Sequence, residues 1–105
     1  MPSPIRSGNV PRHQSATAPE LARIAELAGL PGETLARLGE RMERRELDLG
    51  EKLDVGGRFG VVLAGMLRGR LGLLRPGDTF EGPVTAITLA TVATCERDVY
   101  ESLID

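Results

Sequence analysis

Apolar positions recur along this chain with two periods, and the change falls near Glu46. Upstream, Leu21, Ile24, Ala25 and Ala28 share one face at helical spacing. Ala18-Pro19-Glu20 precedes them: proline suits a first helical turn, and the carboxylate suits the positive end of the helix dipole. Gly29 fits a C-terminal cap. After Leu30-Pro31-Gly32 the pattern predicts a second helix, with Leu35, Leu38 and Met42 at i, i+3 and i+7. Glu33, Arg37, Glu40, Arg41 and Arg44 cover its solvated sides. The pair reads as a short αα-hairpin.

Downstream the period drops to two. Leu47 and Leu49 alternate with charges, as do Leu53 and Val55, with a tight reversal at Gly50-Glu51 between them. Nine of the 13 glycines lie from Gly50 onward, as the corners of a small roll require. Gly56-Gly57 marks another reversal, Phe59 to Ala64 a strand ending at Gly65, and Met66 to Leu74 one bent strand or a tight hairpin. Leu73-Leu74-Arg75-Pro76-Gly77-Asp78 predicts a type II turn, with glycine at the position of positive φ and Asp78 bonding to nearby N–H groups. Val84 to Thr94 is rich in strand formers. Arg97-Asp98 reads as a turn, and Val99 to Ile104 as a final strand or short helix. The fold class is α+β, an N-terminal helical hairpin packed on a small antiparallel β-roll or jelly roll.

Composition narrows the function. The chain has 105 residues, enough for one domain with a modest, aliphatic core, since it holds two Phe, one Tyr and no Trp. Residues 1–17, rich in Pro and Ser, read as a flexible tail, which leaves 18–105 as the domain. A net charge of −2 gives no drive toward nucleic acid or anionic membranes. No apolar run reaches the roughly 18 residues of a membrane span, and the first residues lack a secretory pattern. Cys95 is the one cysteine, so neither an internal disulfide nor a multi-Cys zinc site is expected, and a cytoplasmic protein is.

Catalytic chemistry finds no constellation. His13, the single histidine, lies in the predicted tail, which argues against a metal site. Cys95 reads as a small core residue, and Asp48, Asp54 and Asp78 as a solvated sheet face and turns. No Ser/His/Asp, Cys/His or phosphate-loop pattern is present, so a non-enzyme is expected. Arg41, Arg44 and Arg45 alternate with Glu40, Glu43 and Glu46, a solvated helix end and not a nucleic-acid stripe.

Two helices are followed in order by Glu46-Leu47-Asp48-Leu49-Gly50-Glu51-Lys52-Leu53, Val61-Val62-Leu63-Ala64-Gly65, Leu74-Arg75-Pro76-Gly77-Asp78-Thr79-Phe80 and Ala90-Thr91-Val92-Ala93. In that order, from about Leu21 to the C-terminus, the chain resembles the cyclic nucleotide-binding domain family. The resemblance implies a β-roll capped by the helical hairpin. It also implies a phosphate-binding cassette after the Pro-Gly-Asp turn, opened by Phe-Gly-Glu and closed by an Arg two residues before an Ala. Here Phe80 is followed by Glu81-Gly82 in reversed order, and Pro83 removes a backbone donor. With Ala90-Thr91-Val92 as the matching strand, Thr88 stands where the Arg belongs, and Arg68, Arg70 and Arg75 are the cations on neighbouring segments. The ligand positions so implied are Phe80, Glu81, Gly82, Thr88 and Thr91, for cAMP or cGMP, with no other cofactor and no metal. Losing one partner of a desolvated charge pair costs about 2–5 kcal/mol, or roughly 30-fold to several thousand-fold in affinity.

Weak or absent nucleotide binding is therefore expected in a non-enzymatic regulatory or interaction module that needs a protein partner. A cAMP or cGMP sensor with a rearranged cassette of Glu81, Gly82 and Thr88 is one alternative. A structural subunit of a larger assembly is the other. The family's transcription factors continue into a helix-turn-helix, whereas this chain ends at Asp105, so DNA reading of that kind is not expected.

Overall fold

The computed structural model describes residues 16–54 and 56–104. Most of the predicted tail, His13 included, and the strand residue Val55 lie outside the described residues. Ala16 and Thr17, grouped with that tail above, already belong to the packed body. Ala16 is buried and donates its N–H to the Gly39 carbonyl. Thr17 caps helix α1 (Ala18–Leu21) in a reciprocal box: its hydroxyl accepts from the Glu20 N–H, and the Glu20 carboxylate accepts from the Thr17 N–H.

The first predicted helix is cut short for a physical reason. In an α-helix the Ala25 N–H would bond to the Leu21 carbonyl; it donates instead to the Gly77 carbonyl of the Pro-Gly-Asp turn, at 3.1 Å. The chain continues in i→i+3 bonds, Ile24 to Leu21, Leu27 to Ile24 and Leu30 to Leu27, with a 3-10 turn at Ala25–Leu27. Side chains three apart eclipse in that geometry. Leu21, Ile24 and Leu27 are accordingly the buried ones, while Ala25 and Ala28 of the predicted face are exposed. Helix α2 (Gly32–Glu40) buries Leu35 and Leu38 as expected, and Met42 is buried just beyond its end.

Eight strands follow: β1 (Glu43–Leu47), β2 (Lys52–Leu53), β3 (Phe59–Ala64), β4 (Leu67–Gly69), β5 (Gly72–Leu74), β6 (Thr79–Phe80), β7 (Val84–Ala86) and β8 (Ala90–Cys95). They make two antiparallel four-stranded sheets, ordered β1-β8-β3-β6 (sheet A) and β2-β7-β4-β5 (sheet B). Helix α3 (Arg97–Ile104) takes the place of the predicted Arg97-Asp98 turn and resolves the final segment as helix. Met66 to Leu74 is the tight hairpin of the two options, β4 against β5. Val84 to Thr94 is broken into two strands in different sheets by residues 87–89.

The basic cluster expected at the end of the second helix does not exist. Arg44 and Arg45 lie within β1, where neighbouring side chains point to opposite faces. Arg44 meets Glu20 at 2.8 Å, and Arg45 approaches Glu51 at 3.9 Å. Backbone pairing of β1 with β8, from Glu43 opposite Thr94 to Leu47 opposite Ala90, outweighs the local preference of a charged run for helix. Leu49, expected to face the core beside Leu47, is 71% exposed in the turn that precedes β2.

Sheet A separates two cores. On its helix side Phe59, Val61, Ala93 and Cys95 pack with Leu21, Ile24, Leu27, Leu35 and Leu38. Tyr100 of α3 joins them, its ring stacked on Phe59 with centroids 3.7 Å apart. On the other side Leu47, Val62, Phe80, Ala90 and Val92 pack against Leu67, Val84 and Ala86 of sheet B. The Pro-Gly-Asp turn ties the two layers. Gly77, at φ +103°, bonds through its N–H to the Val62 carbonyl and lies so close to the Arg23 carbonyl that a Cβ would sit 3.2 Å from it. The Thr79 hydroxyl donates to the Glu26 carboxylate, a second strap to the helical segment.

Candidate functional site

Phe80, Glu81 and Gly82 follow one another from β6, and the structure brings them to one cavity of about 270 Å³. Arg70, Leu71 and Leu74 of the β4–β5 hairpin form the opposite wall, with Val84 beside Pro83. That volume lies at the lower edge of the roughly 300–1,000 Å³ usual for small-molecule sites. Phe80 serves the core first: it is 7% exposed, and its ring occupies the space over Gly60, where a Cβ would meet ring carbons at 2.5–2.9 Å. Gly82 has open space around it, and its backbone makes no demand for glycine.

The link from β6 to β7 consists of residues 81–83 alone. One helical turn needs 3.6 residues, so the link holds no turn of helix. Pro83 offers no N–H, which leaves Glu81 and Gly82 as the two backbone donors of the link. The Glu81 carboxylate is engaged by the Arg97 guanidinium from the first turn of α3, and Arg97 also reaches Glu101 at 3.4 Å. These are half-exposed pairs, worth little on their own. They nevertheless hold the one acidic group of the cavity against α3.

Thr88 and Thr91 do not line this cavity. Thr88 lies between β7 and β8, where its hydroxyl accepts from the Met66 N–H at 3.0 Å and donates to the Leu89 carbonyl at 2.8 Å. Thr91 is in β8, paired with Glu46 and Ala64. The strand that follows the Phe80 turn is β7, and Ala90-Thr91-Val92 belongs to the next one, β8. Of the three neighbouring cations, Arg70 lines the cavity, Arg68 faces out of sheet B, and Arg75 belongs to the turn closed by Asp78. Sequence reasoning named Arg70 as one of three neighbouring cations and gave Arg97 no part in the site; the Gly69 and Gly72 flanking Arg70 and Leu71 were a sign of the hairpin tip.

The remaining reactive groups have structural roles. Burial pushes the Cys95 thiol pKa up, with the nearby Arg58 charge partly opposing it, and the side chain is fully enclosed. Asp54 and Asp78 accept from the N–H groups of Gly56 and Arg75, each within its own turn. Among the described residues no three His, Cys, Asp or Glu side chains cluster as metal ligands, and no helix is long and apolar enough to cross a membrane.

No protein-family model matches the chain, and no curated protein matches it by sequence. Solved structures do match it. The regulatory subunit of a cAMP-independent protein kinase A from Trypanosoma brucei superposes with a TM-score of 0.72 at 18% identity, over 95% of this chain and 46% of that one. Its counterpart from Trypanosoma cruzi, bound to guanosine, gives 0.70 at 19% identity, over 92% and 43%. The regulatory domain of Toxoplasma gondii protein kinase A with cAMP gives 0.68 at 15% identity, over 93% and 46%. The chain thus spans less than half the length of these structures. At such identities the likeness is one of fold: the chain has the cyclic nucleotide-binding-domain fold, an α+β β-roll with helices packed on one sheet.

Proposed function

We propose that this chain is a non-catalytic regulatory or interaction module that acts through a protein partner and binds cyclic nucleotide weakly or not at all. The observation that carries this reading is the three-residue link between β6 and β7. The family's cassette holds a phosphate with backbone amides and an Arg two residues before an Ala. Counted back from Ala86 of the strand that follows, that position is Val84, a 3% exposed core residue. Replacing a desolvated guanidinium by an apolar side chain costs such a ligand roughly 30-fold to several thousand-fold in affinity. Glu81, the remaining candidate for a ribose hydroxyl, is occupied by Arg97.

Titration calorimetry with cAMP, cGMP and guanosine tests the proposal. The expected result is no saturable heat in the micromolar range for any of the three; a 1:1 micromolar isotherm with cAMP or cGMP would overturn it. One observation favours the second reading, a sensor with a rearranged site: Arg70 lines the same cavity as Glu81. On that reading whatever binding exists is abolished by Arg70→Gln and untouched by Thr88→Val. Affinity purification of the tagged chain from its native cell, with and without added cAMP, tests for the partner.

A further inference from the structure

The outer face of sheet B carries a second arrangement of charge, adjoining the cavity of Phe80 to Gly82 and sharing Gly69, Arg70, Pro83 and Val84 with it. The ladders place Lys52 opposite Thr85, Thr85 opposite Arg68, and Arg68 opposite Leu73. These four residues form one row across β2, β7, β4 and β5. Their strand neighbours Leu53, Val84, Leu67 and Leu74 pack on the core, so the row faces outward. Lys52, Arg68 and Leu73 are exposed and Thr85 is half-buried. A groove of about 580 Å³ lies over Lys52, Thr85 and Arg68 of the row, with Asp54, Arg70 and Pro83 also lining it and Leu73 outside it.

Neighbouring strands stand about 5 Å apart, so Lys52 and Arg68 flank Thr85 with about 10 Å between them. Two long cationic side chains can close from either side on a group resting over the Thr85 hydroxyl. Arg44, Arg45, Arg58 and Arg97 each approach a carboxylate, whereas among the described residues Lys52, Arg68 and Arg70 have no ion-pair partner. The rim holds one carboxylate, Asp54, which accepts from the Gly56 N–H. A phosphate monoester suits this seat: it carries close to two negative charges, takes a guanidinium fork, and accepts from ammonium and hydroxyl together. Beyond Arg68 the row turns apolar. Leu73 is 48% exposed and Leu71, at the hairpin tip, is 100% exposed. Leu73 lies about 10 Å from Thr85, which three residues of a polyproline II chain span at about 3.1 Å each, with side chains i and i+3 on one face.

We propose that the outer face of sheet B binds a phosphorylated segment of the partner protein, with its phosphate over Thr85 between Lys52 and Arg68 and an apolar side chain three residues away on Leu73. This goes beyond the regulatory role proposed above by giving the partner a docking face, and it stands whether or not the cavity binds nucleotide. A chain of net charge −2 has no general attraction for an anionic bilayer, whereas a single phosphate needs only the local pair of cations.

The test is an amide NMR titration of the full chain with a seven-residue peptide carrying phosphoserine and, three positions on, leucine. Saturable shifts at Lys52, Arg68, Leu73 and Thr85 are expected. Arg68→Gln and Lys52→Gln should each weaken binding about tenfold or more, and Thr85→Val a few-fold. Leu73→Ala should weaken the peptide but not inorganic phosphate. Lys52, Arg68 and Leu73 are exposed and Thr85 is half-buried, and the amide spectrum of each variant verifies its fold. Shifts confined to Thr79 through Gly82, equal binding of the unphosphorylated peptide, or inorganic phosphate binding as tightly as the peptide would each overturn the proposal. So would capture of the chain by phosphoinositide vesicles through the same row while the peptide fails to bind.

Discussion

Sheet A and sheet B enclose one core between them, yet only sheet A is covered on both faces. Its central strands β3 and β8 send alternate residues into two cores, Val61 and Ala93 toward the helices, Val62 and Val92 toward sheet B. Sheet B buries one face and leaves Lys52, Arg68 and Leu73 in water. A strand buried on both sides is fixed by packing, whereas the bare face of a covering sheet is free to vary and to bind. Stability should therefore reside in sheet A and its contacts, and recognition on sheet B.

The sharpest break of this contrast is Phe80→Ala. If Phe80 were chiefly a ligand contact, its loss would leave the fold intact. Its burial between the two sheets, with the ring over Gly60, predicts instead a cost of about 3–5 kcal/mol. For a domain of this size each kcal/mol lowers Tm by roughly 4–8 °C, so a thermal scan decides the matter. Leu73→Ala on the bare face should stay within about 0.5 kcal/mol of the parent chain. Equal losses from the two substitutions would erase the distinction between the sheets.

Next in size is Gly77→Ala, which attacks the joint between sheet A and the helical segment. The backbone there has φ +103°, and the new Cβ would stand 3.2 Å from the Arg23 carbonyl. A cost of about 1–3 kcal/mol is expected. Hydrogen exchange should quicken at the Ala25 amide, which donates to the Gly77 carbonyl. Unchanged exchange at Ala25 would mean that the turn does not hold the helical segment.

That joint also explains what the sequence made legible. The Phe59–Ala64 strand, its stop at Gly65 and the Pro-Gly-Asp turn stand where composition places them, because each depends on local chemistry: a continuous apolar run, and glycines at positive φ. The first helix was misread because its true interruption is tertiary, a hydrogen bond from Ala25 to a turn more than fifty residues away. One local sign was present. Leu21, Ile24, Leu27 and Leu30 repeat every three residues, the 3-10 period, while the helical reading chose Ala25 and Ala28. The start of β1 at Glu43 was hidden for a similar reason, since its charges alternate with no apolar partner until Leu47. Phe80, Glu81 and Gly82 come together at one cavity because they adjoin the turn. That Thr88 lies away from this cavity was hidden because Val84 to Thr94 reads as one strand-forming run, and only its division between two sheets shows which part follows the link.

Thr88→Arg tests that division directly. On the sequence match it would restore a phosphate-binding guanidinium. In the structure it removes the hydroxyl that accepts from the Met66 N–H and binds the Leu89 carbonyl. The expected outcome is no gain in cAMP affinity by calorimetry and a stability loss of about 0.5–1.5 kcal/mol. A tenfold rise in cAMP affinity would return Thr88 to the ligand site.

The smallest effect concerns the edge of sheet A, where β1 is tied to α1 by Arg44 and Glu20. The Arg44 guanidinium holds the Glu20 carboxyl below its ordinary value of 4.5, with partial burial opposing it and the Thr17 N–H assisting. A carboxyl whose pKa is lower in the folded chain binds its proton more weakly there than in the unfolded chain. Its contribution to stability is therefore complete above the unfolded value and is lost as pH falls through the folded one. The pair is about one-third exposed, which limits it to about 0.5–1 kcal/mol. Urea unfolding between about pH 7 and about pH 3 should show this increment disappearing in the parent chain. It should be missing throughout in Glu20→Gln and in Arg44→Gln. Arg68→Gln, on the unpaired face of sheet B, should keep the parent's pH profile. A flattened profile in Arg68→Gln would mean that the cations of the bare face are engaged by the chain's own carboxylates after all, and would leave no free seat there for a phosphate.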